Sequence, residues 1–585
     1  MSGKDDHAGK GADKDASGTA NARLVQITEQ VAAPNTRRRR QRAKQDELPA
    51  DYSDILGHIK TLKTLATTPP KTTTGYQRQI KAGKLWVRDR VNQLLDPDTF
   101  VEIGSISGTV EWKQLSNTKE EPVSFVPSNN VQGFGRLHGR EIIFTADDFS
   151  IRAGHADGAL HEKTYYMEKL AVTMKLPMIK LVDGSSGGGS VTTIKTMAYS
   201  YVPPLRGMDY VVKQLNMGIP NLGAVLGPAI GLGAARVVSC HFSVMAGNVG
   251  SLFNAGPKVV AGATFEEGLS LEELGGPETH CTNGTIDNLA MSEGHAFEQI
   301  RTVLGYLPNC GTQIPPVVEA EDRSDRSCPE LRTAIPRRRE RMYDVRRILH
   351  SVVDQRTFFE IGPLWGRTVV VGLARLGGRP VGIVANNAEV NGGALDTQGS
   401  QKLQRHLKFC DVFNLPVVQF VDVPGYAVGT VAERQATMRW GVELTKAYYT
   451  TTIAIFTIII RKSYGVAGGM MCDARDPHMR VGWPSGEWGS LPLDGGIDVG
   501  HSAELRKIEK EQGVEARKAR YKELEEEYQR LMNPVRTANN FGIEEIIDPA
   551  DTRRLVVKWC QHTYESDLPE RVMRRMTDQL QPSFA

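Results

Sequence analysis

Three glycine-rich turns carry the residues whose types and spacing could do chemistry, because each turn follows an apolar run. They span residues 183–190, 227–235 and 461–470. Glycine lets the backbone approach a ligand closely, and a turn that opens a helix presents backbone N–H groups to that ligand. Two N–H groups directed at one oxygen form an oxyanion hole, which stabilises negative charge as it develops.

The second and third turns match each other at an offset of 234 residues. The coinciding residues are Leu226, Gly231, Leu232 and Gly233 with Ile460, Gly465, Val466 and Ala467. A glycine run by itself is as often an ordinary loop as a ligand site. Repetition at matched positions in both halves favours the ligand site.

A dinucleotide site is the alternative for the second turn. Gly231 and Gly233 resemble the start of a dinucleotide fingerprint, but Arg236 stands where the third small residue is needed. No suitable acidic residue follows at a distance of about 20 residues. The pattern therefore disfavours nucleotide binding at this turn.

An internal repeat supplies the elements that must position these turns. Residues 133–183 align on residues 372–422 without a gap at an offset of 239, and residues 96–108 align on 354–366 at an offset of 258. The first copy therefore carries 19 additional residues, the difference between the two offsets. A repeat this long is not a solenoid unit and predicts two domains of one fold.

Each copy alternates between strand and helix patterns. Short apolar strands are predicted at 140–146 and 379–385, helices at 162–175 and 400–414, and strands at 177–182 and 416–421; further strands follow at 224–226 and 453–460. A strand, a crossover helix and a second strand form a βαβ unit, which predicts an α/β fold with a largely parallel, buried sheet.

Composition divides the chain further. Residues 1–50 predict a disordered tail, 51–318 an N-terminal domain, 319–340 a linker rich in Arg, Asp, Glu and Ser, and 341–585 a C-terminal domain. Residues 502–532 are strongly charged and predict a solvent-facing helix. These limits are expectations from composition and from the repeat.

Bulk properties bear on partners and compartment. The net charge is +3 and no stretch of 18 or more apolar residues exists, so neither nucleic acid nor a membrane is expected as a partner. Seven cysteines without a C-x-x-C pair predict neither a disulfide framework nor a zinc site. Four aspartates and no arginine among the first sixteen residues argue against a mitochondrial presequence. A cytoplasmic location is expected, with the mitochondrial matrix as the alternative.

Several motifs carry a family resemblance over residues 55–575. They are residues 88–96, 274–276 with 279–280, 378–386, 409–411, 422–425, 461–465, 547–549 and 551–553. In these motifs the chain resembles the β (carboxyltransferase) subunits of biotin-dependent acyl-CoA carboxylases, of the propionyl-CoA and methylcrotonyl-CoA carboxylase type. The resemblance implies two tandem crotonase-like (ClpP/crotonase) domains related by duplication, the first binding acyl-CoA and the second carboxybiotin.

The resemblance also implies residue roles. The backbone amides of Leu232 and Gly233 would hold the enolate of the thioester, and those of Val466 and Ala467 the ureido oxygen of biotin. The nitrogen of biotin would accept the substrate proton, so no side-chain base is required. The substrate-binding residues expected around these amides are Gly187, Gly188, Gly231, Ala234, Pro424, Gly425, Tyr464, Gly465 and Gly469.

Missing parts imply partners. No Ala-Met-Lys-Met biotin-attachment sequence exists, and the nearest run, Thr173 to Lys175, is interpreted as structure. A partner α subunit carrying biotin and biotin carboxylase is therefore expected, with biotin as the cofactor and no metal bound by this chain. The family's β subunits form hexamers, whose active sites lie between the N domain of one chain and the C domain of another.

The function implied is transfer of the carboxyl group from carboxybiotin to an acyl-CoA, with propionyl-like substrates first and methylcrotonyl-like substrates second. One alternative is a divergent acyl-CoA decarboxylase that uses the same turns. The other is a non-catalytic subunit that only binds the biotin-bearing partner, prompted by Val466 at a turn and by Trp440 where the family commonly has His.

Overall fold

A computed structural model describes residues 21–27, 51–117, 119–155, 160–184, 190–202, 205, 207–338, 341–473 and 479–585. The predicted tail lies outside these ranges except for residues 21–27, which are helical and exposed. Gly187 and Gly188 of the first glycine-rich turn also lie outside the described residues.

The described strands are numbered in chain order. They are β1 Val101–Glu102, β2 Gly108–Gln114, β3 Glu120–Pro127, β4 Asn130–Leu137, β5 Arg140–Asp147, β6 Met178–Val182, β7 Asn221–Val225, β8 Pro228–Ile230, β9 Phe242–Ala246, β10 Ser251–Phe253, β11 Asn288–Ala290, β12 Phe359–Ile361, β13 Val369–Leu376, β14 Arg379–Asn386, β15 Val417–Val423, β16 Ile455–Tyr464, β17 Met479–Gly482 and β18 Glu487–Gly489.

The described α-helices lie between and around these strands. They are Ser53–Thr67, Thr74–Lys81, Val87–Leu94, His161–Met174, Ser190–Met197, Met208–Asn216, Leu232–Val238, Pro257–Thr264, Leu271–Gly275, Pro277–His280, Glu293–Tyr306, Val345–Val352, Thr397–Val412, Thr430–Arg434, Thr437–Thr450, Gly465–Cys472, Leu493–Gly500, Ser502–Gln512, Val514–Leu531, Pro534–Asn539, Thr552–His562 and Leu568–Met576.

Two large sheets form in the described part of the chain, with the orders β1-β4-β5-β6-β7-β9-β11 and β12-β13-β14-β15-β16-β17. From β5 to β11 and from β14 to β17 every neighbouring pair is parallel. The predicted α/β fold is confirmed. Each sheet also has an antiparallel edge, β1-β4-β5 and β12-β13-β14, because β4–β5 and β13–β14 are hairpins rather than βαβ units.

Matched hydrogen bonds show that the two halves are copies of one structure. The Asp96 carboxylate accepts from the backbone N–H groups of His138 and Gly139. At the equivalent positions, Asp354 accepts from Gly377 and Gly378. The bidentate pair of Arg88 with Glu102 likewise recurs as Arg346 with Glu360. The repeat, which the sequence shows only as scattered identical residues, therefore extends to these side-chain contacts.

A lysine of the crossover helix, half-buried at Lys163 and buried at Lys402, is repeated in the same way. The Lys163 Nζ donates to the carbonyl oxygen of Asn130 at 2.6 Å, and the Lys402 Nζ donates to that of Val369 at 3.0 Å. Burial lowers the pKa of both ammonium groups to about 8. Both remain mostly protonated at neutral pH, where they tie the crossover helix to the hairpin.

The 19 additional residues of the first copy coincide with the hairpin β2–β3, which has no counterpart before β13. By contact density the chain divides into a unit of Met1–Ala66 with Val110–Phe125, and a unit of Thr67–Thr109 with Val126–Ala585. Within the first unit the rings of His58 and Trp112 meet edge to face, 5.6 Å apart. The second unit contains both large sheets.

The central strands are buried along their whole length, as parallel strands covered on both faces must be. All five residues of β6, β7 and β9 and all seven of β15 are buried. One continuous apolar cluster runs through both sheets. All seven cysteines are buried free thiols.

Several boundaries differ from the prediction. The strand predicted at 224–226 is β7, Asn221–Val225, and the charged stretch at 502–532 is two helices separated by Gly513, whose φ is 90°. Leu505 and Leu524 of these two helices are buried in a small cluster, so this element is not wholly solvent-facing. The run at Thr173 to Lys175 is the end of helix His161–Met174, which confirms its structural interpretation.

The region predicted as a linker contains a 3-10 helix, Pro329–Thr333, in which Leu331 is buried. Nearby, the Cys328 N–H donates to the carbonyl oxygen of Ala550 at 2.9 Å. None of the described helices combines the length and the apolar character needed to cross a membrane.

The duplicated hairpin contact allows a matched test of stability. Asp354 is buried and also pairs with the fully buried Arg553 at 2.7 Å, whereas Asp96 is half-buried. We expect Asp354→Ala to cost about 3–5 kcal/mol, because it removes a partner of a buried guanidinium. Asp96→Ala should cost about 1–2 kcal/mol, from two lost hydrogen bonds. Urea unfolding followed by circular dichroism measures both, and equal losses would contradict the assignment.

Candidate functional site

The second glycine-rich turn opens a helix in a conformation that requires glycine. Gly231 has φ 58° and ψ −118° and directly precedes helix Leu232–Val238. Its N–H donates to the carbonyl oxygen of Phe253 at 3.1 Å, and its own carbonyl accepts from Ala235 at 3.0 Å. The turn is thus fixed from both sides, and Gly233 and Ala234 are buried in the first helical turn.

The third turn repeats this geometry. Gly465 has φ 61° and is the first residue of helix Gly465–Cys472, after the extended Tyr464. The positive φ falls on Gly465 and not on Val466, so the β-branched side chain causes no backbone strain. Ala467 is fully buried, whereas the Val466 side chain is 68% exposed.

The strands beside the two turns also correspond. β8 pairs in parallel with β10, with Pro228 opposite Ser251. The end of β16 pairs in parallel with β18, with Lys462 opposite Glu487. Pro228 and Lys462 are equivalent at the offset of 234. Each turn is therefore held by residues of its own half of the chain.

Asp183 begins the first turn at the end of β6, and its carboxylate is fully buried. It pairs with Lys84 and Arg90, both at 2.8 Å, and Arg90 also pairs with Glu293 at 2.6 Å. Desolvation lowers the pKa of Lys84, and the nearby Asp183 charge opposes that shift. Both carboxylate oxygens of Asp183 accept hydrogen bonds from these two side chains, so Asp183 anchors the end of the strand.

Asp422 occupies the equivalent position in the second half. Its carboxylate is held by Arg461 at 2.9 Å and by the hydroxyl of Tyr343 at 2.7 Å. Burial, followed by the neighbouring Asp422 charge, raises the pKa of Tyr343 well above its usual range. The two strand ends are thus anchored by different partners around the same carboxylate.

Sequence reasoning missed a further pair of matched loops, directly after β5 and β14. Arg152, Ala153 and Gly154 have φ values of 49°, 51° and 66°. Their equivalents Asn391, Gly392 and Gly393 have values of 49°, 61° and 84°. The gapless alignment at offset 239 contained this signal in the identity of Gly154 and Gly393, but the two preceding positions differ between the copies and no hydrophobic pattern marks the loop.

The missed loop connects the first and second turns. A Cβ atom on Gly154 would collide with the carbonyl oxygen of Asp183 and with Gly184. The Gly184 carbonyl in turn accepts from the Ile230 N–H at 3.2 Å. In the first half, therefore, the loop after β5, the start of turn one and turn two form one continuous surface.

A comparable arrangement surrounds the third turn. The Leu395 N–H donates to the carbonyl oxygen of Gly425 at 3.0 Å, so the loop after β14 binds the predicted segment Pro424–Gly425. Gly425 has φ 133°, and a Cβ atom there or on Gly469 would meet no atom within 4 Å. Open space therefore lies beside two of the predicted substrate-binding glycines.

Side-chain bases are not evident among the buried histidines. Burial lowers the pKa of His241 and of His406 to about 3, which leaves both imidazoles neutral and weakly basic. Among the described residues, no group of three or more His, Cys, Asp or Glu side chains is arranged to hold a metal ion. The feature common to both halves is a backbone turn that opens a helix, at Gly231 in the first half and at Gly465 in the second.

Comparison with known proteins agrees with this geometry. The family model described as "Carboxyl transferase domain" matches residues 78–576. The human propionyl-CoA carboxylase beta chain is 33% identical over 494 residues, which cover 82% of this chain and 86% of the relative. Methylmalonyl-CoA decarboxylase subunit alpha of Veillonella parvula is 29% identical over 82% of this chain and 90% of the relative.

A solved structure is similar over most of its length. The crystal structure of transcarboxylase 12S, described as a hexamer assembly with methylmalonyl-coenzyme A and methylmalonic acid bound, superposes with a TM-score of 0.75. The two are 26% identical, and the match covers 89% of this chain and 97% of the other.

The fold and these matches define a crotonase-like acyl-CoA carboxyltransferase. The chain belongs to the carboxyl transferase domain family, as the match over residues 78–576 shows. Within that family it is the carboxyltransferase subunit of a biotin-dependent acyl-CoA carboxylase. The predictions of fold, enzyme class and family are confirmed.

Alanine substitutions at two glycines of helix Gly465–Cys472 distinguish the cost of a positive φ from the effect of adding a side chain. A Cβ atom at Gly465 would lie an ordinary 3.6 Å from the Ser490 carbonyl oxygen, and one at Gly469 would meet nothing within 4 Å. We expect Gly465→Ala to cost about 1–2 kcal/mol because of its positive φ. Gly469→Ala should stabilise the helix by up to about 1 kcal/mol. Thermal unfolding midpoints measure both, and a loss at Gly469 would argue against this account.

Proposed function

We propose that this chain transfers the carboxyl group of carboxybiotin, carried on a partner α subunit, to a propionyl-like acyl-CoA. A methylcrotonyl-like acyl-CoA is the second choice. The observation that carries the proposal is the repetition of one helix-opening glycine turn, with φ 58° at Gly231 and φ 61° at Gly465. The preference for a propionyl-like substrate is supported by the relatives named above.

Carboxyl transfer develops negative charge on two oxygens, and the duplicated turns offer one group of donors to each. The amides of Leu232 and Gly233, supported by Gly231 and Ala234, would stabilise the thioester oxygen as the α-carbon loses its proton. The amides of Val466 and Ala467 would stabilise the ureido oxygen as the carboxyl group leaves. Donors fixed in advance need no reorganisation during the reaction.

The biotin ring would enter beside the third turn. Open space next to Gly425 and Gly469 suits a small bicyclic group. Pro424 and Tyr464, which would contact it, directly follow Val423 and Ser463, which are paired between β15 and β16. Biotin supplies the carboxyl group and, once that group has left, a nitrogen that accepts the substrate proton. This chain's part is to bind the ring, orient it and stabilise its oxygen.

Domain roles follow from this division. We assign acyl-CoA binding to residues 51–318 and carboxybiotin binding to residues 341–585, with 319–340 between them. Each turn is held by its own half, so the two ligands can meet across chains in a homo-hexamer, as the hexameric description of transcarboxylase 12S suggests. We place the enzyme in the cytoplasm, with the mitochondrial matrix as the alternative.

The second candidate function is acyl-CoA decarboxylation, which the similarity to a methylmalonyl-CoA decarboxylase subunit favours. The same oxyanion donors would serve, because loss of CO2 from a malonyl-type thioester also leaves an enolate. The two functions differ in whether biotin is needed for turnover.

The reverse half-reaction tests the proposal. Purified protein mixed with methylmalonyl-CoA and free biotin is expected to release propionyl-CoA only when biotin is present. Release without biotin would favour the decarboxylase. If no propionyl-CoA is released even when the biotinylated partner subunit is supplied, the chain is a non-catalytic subunit and both candidate functions are overturned.

Substituting alanine for the glycine that opens one turn should impair the function of that turn's ligand alone. Gly231→Ala is expected to lower turnover about 10²–10³-fold and to weaken CoA binding, because it displaces the amides facing the thioester. Gly465→Ala should lower turnover to a similar degree but leave CoA affinity unchanged, since that turn is held by the other half. Calorimetric titration with CoA separates the two. Equal loss of CoA affinity in both variants would refute the division of labour.

A further inference from the structure

Arg236 lies within the helix that the second glycine turn opens, and it is the residue that interrupts the dinucleotide-like pattern of that turn. Its Nη1 donates to both carboxylate oxygens of Asp147, at 3.0 and 3.3 Å, and its Nη2 donates to the hydroxyl of Thr145 at 3.1 Å. Asp147 and Thr145 are buried at the end of β5. The Arg236 side chain therefore ties helix Leu232–Val238 to this strand.

The Asp147 carboxylate also contacts the first glycine turn. Its Oδ2 accepts a hydrogen bond from the backbone N–H of Asp183 at 3.2 Å. Desolvation disfavours the charge of Arg236, but nearby negative charge, that of Asp147 above all, outweighs this effect and raises the pKa of the guanidinium. One ion pair thus links the end of β5, the start of turn one and the helix of turn two.

The second half of the chain has no charge at the equivalent positions. The equivalents of Thr145, Asp147 and Arg236, at offsets of 239 and 234, are Val384, Asn386 and Met470. The registers of β6 on β7 and of β15 on β16 agree with these offsets. The side-chain oxygen of Asn386 still accepts from the backbone N–H of Asp422, at 3.0 Å. The contact with the strand end is thus repeated, whereas the ion pair to the helix is not.

The helix of the third turn is held at its carboxyl-terminal end instead. The carbonyl oxygen of Met471 accepts from the side-chain amide of Gln419 at 2.5 Å, and that of Cys472 accepts from Arg480 at 2.8 Å. Helix Gly465–Cys472 is therefore tied to β15 and β17 through its own backbone carbonyl groups.

Both of these donors differ in the first half. Lys180 replaces the glutamine, and its ammonium group pairs with Glu168 at 3.1 Å. Ser243 replaces the arginine in the strand register, and its hydroxyl donates to Asp287 at 3.1 Å. Arg236 supplies from the middle of the helix the tie that the second half makes at the end of its helix.

We infer that Arg236, held by Asp147, is a positioning residue for the acyl-CoA turn. It keeps helix Leu232–Val238, and with it the amides at the start of that helix, in the place that the reaction needs. The catalytic consequence rests on the proposed function, whereas the contact itself does not. Donors directed at a developing charge act only in a set geometry, so loosening the helix should lower kcat more than it raises KM.

Substitutions copied from the second half separate positioning from stability. Arg236→Met and Asp147→Asn each leave one member of the pair without its partner, so each should lower the urea midpoint of unfolding. The double variant removes both charges and reproduces the residues of the second half, so its midpoint should return close to that of the wild type. It still has no ion pair to the helix, and its kcat should therefore stay low.

Biotin-dependent release of propionyl-CoA from methylmalonyl-CoA measures the effect. We expect kcat to fall about ten- to a hundredfold in both single variants and in the double variant, with KM changed less than about threefold. Lys180→Gln is the matched control, because it breaks another buried ion pair of the same sheet and introduces the residue of the second half. It should lower the unfolding midpoint and leave kcat unchanged.

Hydrogen exchange followed by mass spectrometry provides a second measurement that needs no activity. Peptides that cover residues 231–238 should exchange faster in Arg236→Met and in the double variant than in the wild type. Peptides that cover residues 465–472 should exchange at the same rate in all of these proteins. In Lys180→Gln both segments should exchange as in the wild type.

The results distinguish this inference from the proposed function. If the wild type shows no turnover but exchange at 231–238 rises in Arg236→Met, the proposed function fails and the positioning of the helix by Arg236 stands. If the wild type is active and the double variant regains kcat together with its stability, the pair only stabilises the fold and the inference is overturned. Unchanged exchange at 231–238 in these variants overturns it as well.

Discussion

One backbone constraint recurs in both halves of this structure: a strand with a parallel partner must turn within a single residue into a helix. Gly231 meets it with φ 58° and ψ −118°, a region that side chains with a Cβ atom rarely enter. Gly465 meets it with φ 61°. The short parallel pairings of β8 with β10 and of β16 with β18 fix the direction in which each helix starts.

Buried charges hold the strand ends that lead to these turns. Asp183 is bound by Lys84 and Arg90, whereas Asp422 is bound by Arg461 and a tyrosine hydroxyl. A buried ion pair gives little net stability, because desolvation offsets most of the attraction, but removing one partner is costly. The pairs therefore specify where the loops lie more than they strengthen the fold. Different partners in the two copies reach the same placement.

The regular elements could be predicted because the repeat and the apolar runs coincide. β5, Arg140–Asp147, and β14, Arg379–Asn386, each extend the predicted strand by one residue. Helix Thr397–Val412 begins three residues before its predicted start, because the Asp396 side chain caps it by accepting from the Gly399 N–H. The conformation of the second and third turns could also be predicted, because the positive φ at Gly231 and Gly465 favours glycine.

What escaped prediction depends on contacts between segments distant in sequence. The loop at Arg152 to Gly154 holds two non-glycine residues at positive φ, a strain that tertiary packing on Asp183 maintains and composition does not reveal. The antiparallel sheet edges depend on pairing partners that periodicity does not specify. The break at Gly513, with φ 90°, was visible as a glycine, but a charged stretch without apolar spacing offered no reason to divide it.

Duplication also explains which features stayed equal and which diverged. A helix-opening turn of this kind requires glycine at one position only, so the φ values at Gly231 and Gly465 are nearly identical although the side chains around them differ. The side chains of the neighbouring matched loops differ between the copies, with Arg152 in one loop and Asn391 at the equivalent position of the other, although both have φ 49°. Because the conformation of each turn depends on glycine at one position and not on the neighbouring side chains, those side chains could diverge after duplication while the turn stayed the same.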